Sequence, residues 1–276
     1  MEGAATENSV AAMAACYERF DPETFLQKFC SAEEIHLDRE DGITRWELAR
    51  LHGAFTEGDM RGERLLDVGS GPTLYQVMSA CEVFNQVILT DFLEANRREL
   101  RLWLQNEGGS KMNWTPFLQH VCKLEGRRPS EWTDKATKLR QVVTDVLPID
   151  VHRPHPLGPD APGSLPFALA DCVTSCFCLE GASPDLGAFN RALIHIVSLL
   201  RPGGHLLLMG NLGETYYLAG PGAKIPVVAL SEAKICSALK ESGCSLIRLE
   251  VFQRPSYDSK EHSDSEAKFF LKARKN

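Results

Sequence analysis

The residues whose types and spacing could do chemistry begin at a short loop. Asp67 ends an apolar run, and Gly69-Ser70-Gly71-Pro72 follows it before a helical pattern starting near Thr73. Glycines at 69 and 71 let a ligand approach the backbone, as nucleotide- and nucleoside-binding turns require. Pro72 stands where a third glycine would serve a dinucleotide, and no lysine follows to build a phosphate-cradling loop. Asp91 closes a second apolar run, "QVILTDF", 20 residues after Gly71, where a carboxylate can accept hydrogen bonds from both ribose hydroxyls. Asp150 and Val151 close a third, "VLPIDV", where an adenine amino group and ring face would lie. The alternative is that Asp67, Asp91 and Asp150 simply cap strand ends. Cys176-Phe177-Cys178 reads as strand, which sends both sulfurs to one face, without the histidine or acid company a metal would need. His152 and His155 sit on a proline-rich loop and read as solvated, and Cys178 has no identifiable histidine partner.

These residues must be positioned by elements that the hydrophobic pattern marks out. From Arg64 onward short apolar runs alternate with longer helical ones: "RLLDVG", "LYQVMSACEVF", "QVILTDF", "EANRRELRLWLQ". That alternation is the signature of strand–helix–strand units and a parallel sheet. Further strands are expected at 146–151, 170–179, 203–211, 244–252 and 268–274, with helices at "TDKATKLRQVVTDV", "PDLGAFNRALIHIVSLL" and "SEAKICSALKESG". Ahead of this core, "YERFDPETFLQKFCSAEEI" and "TRWELARLHGAFTEG" read as amphipathic helices, and residues 1–14 read as disordered. The expected organisation is one domain over 15–276, with a helical lid over 15–60 and a Rossmann-like core over 61–276. "HRPHPLGPDAPGSLP" is read as a loop.

Composition narrows the function classes. A net charge of -7 over 276 residues argues against a large basic footprint for nucleic acid or an anionic membrane. No apolar run approaches the ~20 residues that span a bilayer, and "MEGAATENSV" lacks the features of a signal peptide. The nine cysteines are odd in number and contain no CxxC pair, so free thiols in a reducing compartment are expected. The reading is a soluble cytoplasmic monomer with no nucleic-acid or membrane partner and no metal.

A glycine loop without a third glycine, a ribose acid and an adenine site together suit S-adenosylmethionine better than NAD. "LLRPGGHLLLMG", a helix end, a Pro-Gly-Gly turn and an apolar strand, resembles the late signature of class I methyltransferases. "DVGSGPTLYQVMSAC", "TDFLEANRRELRLWL", "VLPIDVHRPHPLG", "FCLEGASPDLGAFNRAL" and "LLRPGGHLLL" resemble the amine N-methyltransferase family that contains the phenylethanolamine, nicotinamide and indolethylamine enzymes. The resemblance runs from about Tyr17 to Arg274 and leans toward the phenylethanolamine branch, since the nicotinamide branch usually carries aspartate at the position of Glu180. It implies an α/β fold with a seven-stranded, mostly parallel sheet, helices on both faces and an antiparallel last strand. It also implies methyl transfer to a phenylethanolamine, as in catecholamine biosynthesis: noradrenaline to adrenaline, with S-adenosylhomocysteine released. Methylation of an indolethylamine or nicotinamide, or cofactor binding without turnover, are the alternatives.

Carried over residue by residue, the resemblance implies S-adenosylmethionine contacts from Tyr17, Gly69, Ser70, Gly71, Thr73, Tyr75, Asp91, Phe92, Asn96, Asp150, Val151 and Cys176, with Tyr17 folding over the methionine end. Phe177, Glu180, Glu214 and Tyr217 would line the amine site, Glu180 and Glu214 being the catalytic pair. An ammonium has no lone pair and must lose a proton before attack, so a carboxylate is the natural acceptor, directly or through water. The aromatic rings would face the substrate ring or its cation. A further carboxylate is expected from the C-terminal region; Asp264 is the candidate, although strict alignment falls on Ser263. The chain departs from the branch at Phe25, Phe29, Cys30 and Glu47, where tyrosine, asparagine, tyrosine and lysine are usual.

Overall fold

The computed structural model describes residues 2–58, 60–106, 108–158, 169–220, 223–258 and 261–276, with side chains described from Ser9 onward. Helices α1 (Glu2–Cys16), α2 (Pro22–Cys30) and α3 (Ile43–Thr56) precede strand β1 (Arg64–Val68). Then come β2 (Gln86–Asp91), α4 (Glu94–Gln105), α5 (Thr115–Leu124), α6 (Trp132–Val142), β3 (Val143–Pro148) and β4 (Ala170–Cys176). The chain continues through α7 (Leu179–Ala182), α8 (Leu186–Ser198), β5 (Leu200–Leu212), β6 (Tyr216–Gly220), β7 (Ala223–Pro226), α9 (Glu232–Glu241), β8 (Cys244–Gln253) and β9 (Ala267–Lys275).

Seven strands form one sheet in the order β3-β2-β1-β4-β5-β9-β8. β1 to β5 pair in parallel, and β9 runs antiparallel to both β5 and β8. This is the expected sheet, with its last strand reversed. Its strands carry apolar residues on both faces because both are covered. Leu65, Val87, Leu89, Leu207, Met209 and Phe270 pack on one side with Leu48, Leu51 and Phe55 of α3. Leu66, Val68, Ile88, Leu206, Leu208 and Leu271 pack on the other with Phe189 and Leu193 of α8 and Ile235 and Leu239 of α9. The period of two along β1, β2 and β5 assigns the residues to these layers.

From β1 the chain steps outward to β2 and β3, then returns to the opposite side of β1 as β4. The carboxyl ends of β1 and β4 therefore bracket a topological switch point, where open α/β sheets bind ligands. Asp67, 1% exposed, ties this point together. One of its carboxylate oxygens accepts from the Thr174 hydroxyl on β4, and the other accepts from the Gln76 amide at 2.8 Å beyond the glycine loop. Its carbonyl accepts from the Thr90 hydroxyl on β2 at 2.7 Å.

Several expectations are corrected. The stretch 74–84 is not one helix but two 3-10 turns, Tyr75–Val77 and Ala80–Glu82. The Gln76 side chain also donates to the carbonyls of Ser70 and Thr73, which holds the chain in a tighter coil against the loop. β3 begins at Val143, within the expected helix, and ends before Ile149. β4 stops at Cys176; Phe177 takes a left-handed φ of 53°, so Cys176 and Cys178 do not alternate along a strand. The expected disorder over 1–14 is replaced by α1, whose alanines favour helix and whose Met13 packs against Ala219, Ala223 and Ile225 of the β6–β7 hairpin. The second half of the expected proline-rich loop, from 159 on, lies outside the described residues. Among the described residues no helix is long and apolar enough to cross a membrane.

Gly69 has φ 68°, and a Cβ there would overlap Cys178 Sγ. Gly69→Ala should therefore cost more than the ~1 kcal/mol of a left-handed alanine alone. Thermal unfolding against the parent checks this, and an unchanged midpoint would show that the loop relaxes freely.

Candidate functional site

The glycine loop is pinned from both sides. Ser70 N donates to Thr90 O at 2.8 Å, and the Ser70 hydroxyl accepts from Thr90 N at 3.2 Å, which staples the loop to β2. Gly71 has φ 60°, and nothing lies within 4 Å of where its Cβ would be. The two glycines thus do different work: Gly69 allows close packing on Cys178, whereas Gly71 borders open space. Asp91 accepts from Gly71 N at 2.8 Å, Leu93 N at 2.8 Å and the Asn96 amide at 3.0 Å. A carboxylate has about four acceptor sites, so with three donors in place about one remains for a ligand hydroxyl.

Loop and acid open onto one cavity of about 630 Å³. Tyr17, Gly69, Ser70, Gly71, Thr73, Tyr75, Asp91, Phe92, Asn96, Asp150, Val151 and Cys176 all line it, as do Phe177, Glu180, Glu214 and Tyr217. The sequence-expected residues converge on a single hollow from elements spread over the chain. Asp264 is the exception. Its carboxylate accepts from Thr215 N at 2.8 Å, the Thr215 hydroxyl at 2.5 Å and Tyr216 N at 3.2 Å, capping the start of β6, and it does not line the cavity. Burial pushes its carboxyl up, but those hydrogen bonds prevail and hold it below the usual range. Ser263, the strict match, does line the cavity.

The N-terminal segment covers the hollow. Tyr17 donates its hydroxyl to Gly181 O at 2.9 Å, and Tyr217 donates to the Tyr17 oxygen at 3.3 Å. Ring contacts then run from Tyr17 through Phe20 and Phe25 to Phe29, at centroid separations of 6.1, 5.3 and 4.9 Å, and on to Tyr217 at 6.4 Å. Asp21 accepts from Thr24 N at 2.9 Å and Pro22 follows it, starting α2 at the angle that lays Phe25 and Phe29 over the cavity. The β6–β7 hairpin was not legible in the sequence, yet it brings Tyr217 into this contact.

Glu47, Glu180 and Glu214 are 6%, 5% and 4% exposed, so all three carboxylates are desolvated. Burial, followed by the neighbouring Glu214 charge, pushes Glu180 up to about 7; its own backbone N–H, that of Asn211 and the Lys268 charge oppose the rise. Burial also pushes Glu214 up, against Asn211, Lys268 and Ser263, and Glu214 Oε1 has no hydrogen-bond partner. Strand β5 makes room for this arrangement: a Cβ on Gly210 would stand 2.6 Å from Glu180 Oε1. Lys268 of β9 was passed over in the sequence, where a lysine opening a strand reads as solvated. It ion-pairs with Glu47 at 3.3 Å, donates to Asn211 Oδ1 at 3.2 Å and sits 4.3 Å above the Phe177 ring.

S-adenosylmethionine fits the glycine-loop end. Gly71 borders space a side chain would fill, Asp91 retains acceptor capacity, and the buried Asn96 Oδ1 has no partner. Phe92, 54% exposed, offers a ring face at the same end as Val151.

The sheet order and the loop at its switch point define a class I, S-adenosylmethionine-dependent methyltransferase. Solved structures of such enzymes from Clostridium acetobutylicum ATCC 824 and Mesorhizobium loti share the fold, each with a TM-score of 0.50. They are 11% and 14% identical and cover 91% and 85% of this chain and 98% and 99% of theirs. The chain belongs to the NNMT/PNMT/TEMT family, whose profile matches residues 8–276. It is 45% identical to the phenylethanolamine N-methyltransferase of Homo sapiens over 96% of this chain and 92% of that one. It is 38% identical to the indolethylamine N-methyltransferase of Mus musculus, over 84% and 85%, and 37% identical to the nicotinamide N-methyltransferase of Sus scrofa, over 98% of each. Its activity is S-adenosylmethionine-dependent N-methylation of an amine.

The raised Glu180 carboxyl has a consequence for stability. Between the ordinary 4.5 and the folded value of about 7 the native state keeps a proton that the unfolded chain has released, so this group costs stability as pH rises through that window. Glu180→Gln should raise the unfolding temperature more at about pH 8 than at about pH 4. Equal shifts at both values in thermal scans would show that the carboxylate is well solvated.

Proposed function

We propose that this chain methylates the amine nitrogen of a phenylethanolamine, turning noradrenaline into adrenaline and releasing S-adenosylhomocysteine. The observation that carries the reading is two buried carboxylates, Glu180 and Glu214, facing the same cavity as Phe177, Tyr217 and the glycine loop. Greater identity to phenylethanolamine enzymes than to indolethylamine or nicotinamide ones supports the branch.

When bound, S-adenosylmethionine supplies a methyl group on a positively charged sulfur, open to in-line attack. The chain must hold a nitrogen lone pair on that line, so positioning supplies most of the rate. Glu180 and Glu214 draw the ammonium in by charge. Glu180, with an affinity for protons matched to neutral pH, takes the proton that frees the lone pair. Glu214, its Oε1 unpartnered, fixes the amine. Tyr217 and the open part of Phe177 bound the substrate ring. Residues 15–60 act as a lid over the 61–276 core, closed by the Tyr17 bond to Gly181, and the lid keeps water from the sulfonium.

The small-molecule amine is the expected partner, and the chain is read as a cytoplasmic monomer. All nine cysteines are free thiols, which suits a reducing compartment.

Methyl transfer to noradrenaline, phenylethanolamine, tryptamine and nicotinamide, measured beside calorimetric S-adenosylmethionine binding, tests the reading. Transfer to the β-hydroxylated amines above the others is expected. Preference for tryptamine or nicotinamide would move the substrate class, and binding without transfer to any amine would make the chain a cofactor-binding protein. kcat/KM should fall as pH drops below about 7, where Glu180 is protonated. Glu180→Gln should lower it about 100-fold while leaving S-adenosylmethionine affinity near normal. Parallel loss of both would assign Glu180 a purely structural place.

A further inference from the structure

The amine end of the cavity holds a lysine ammonium of its own. Lys268 is in register with Asn211 across the β5–β9 pair, so both side chains leave the sheet on the face that carries Met209 and Phe270. Asn211 is the meeting point of the site. Its side chain accepts from Lys268 and bonds Glu214, and its backbone N–H bonds the Glu180 carboxylate. The Lys268 charge acts on Glu47, Glu180 and Glu214 alike. The Arg254 guanidinium, which also lines the cavity, is committed elsewhere: it lies 2.7 Å from Asp258 and donates to the carbonyls of Ser263 and Ser265, each at 3.0 Å. His262 packs edge-on against Phe29. Glu180 and Glu214 therefore face the cavity within the field of the Lys268 ammonium, and Glu214 Oε1 has no hydrogen-bond partner.

A lysine ammonium and a substrate ammonium are the same chemical group, and one held on the wall is present at a very high effective concentration. Left to itself, Lys268 would fill the place the amine needs. The Glu47 carboxylate, brought in by α3 and buried, takes it at 3.3 Å instead.

We propose that Glu47 is a tether that holds the Lys268 ammonium off Glu180 and Glu214, so that the Glu47–Lys268 pair determines the affinity of the site for its amine. This rests on the reading of Glu180 and Glu214 as the amine-receiving pair. Glu47 and Lys268 are positioning residues here: Glu47 acts through Lys268, and Lys268 acts on the two carboxylates. The pair also offsets the buried Glu47 charge, which leaves Glu180 and Glu214 to receive a positively charged substrate.

The test compares Glu47→Gln, Lys268→Met and the double substitution. In Glu47→Gln the freed ammonium competes with the amine; if it fills the carboxylates nine-tenths of the time, the amine KM rises about tenfold. kcat should change less, and the KM for S-adenosylmethionine should not move. In the double variant, which has no ammonium left to compete, the amine KM should return to near the parent value. Damage to the fold would not be repaired by a second substitution in the same wall. An unchanged amine KM in Glu47→Gln, or a double variant as weak as the single one, overturns the proposal. A second measurement needs no substrate. The carboxyl carbon of Glu180, followed by NMR in the absence of amine, should titrate lower in Glu47→Gln and higher in Lys268→Met than in the parent, where it titrates near 7. An unmoved midpoint overturns the tether even if the parent methylates phenylethanolamines. A parent inactive on all of them overturns the substrate assignment while the titration still decides the tether.

Discussion

Everything at the site hangs on one buried carboxylate that never faces the ligand. Asp67 joins β1 to β4 through Thr174, to β2 through Thr90 and to the far side of the glycine loop through Gln76. Burial pushes its carboxyl up, and the Ser70, Thr174 and Gln76 bonds pull it back. Buried polar groups are stabilising only when satisfied, and here the satisfaction is shared among the elements that must stay in register. A parallel sheet places the loop at its switch point, and this network gives the loop a fixed shape there.

The opposite end of the cavity follows a different rule. Three carboxylates are buried among aromatic rings, and each is pushed toward its neutral form by that burial. Glu47 is ion-paired with Lys268, whereas Glu180 and Glu214 are offset by hydrogen bonds and by the same lysine's field. They give the hollow a buried acidic end that a cation would complement. Carboxylates buried in this way cost stability, a common trade between stability and activity.

The glycine loop, Asp91 and the strand pattern were legible because they are local: turn residues and a period of two or 3.6 are written in neighbouring positions. α4 falls on the stretch "EANRRELRLWLQ" that the pattern marks. What could not be read depends on contacts distant in sequence. Lys268 looks like a solvated residue until β9 is laid beside β5 and Asn211. Asp264 looks like the missing acid until the β6–β7 hairpin exists for it to cap. The 3-10 turns after the loop replace a helix because Gln76 is spent on Asp67, which lies nine residues earlier. α1 looks disordered until the same hairpin gives Met13 a surface to bury against.

The run of rings from Tyr17 to Phe29 spans one hollow rather than two. Residues of that segment border the wall near the glycine loop as well as the wall near Glu214. The glycine-loop end and the Glu214 end thus share one covering segment. A substitution in that segment therefore meets both walls of the hollow at once, and neither end can be reshaped from this side without regard to the other.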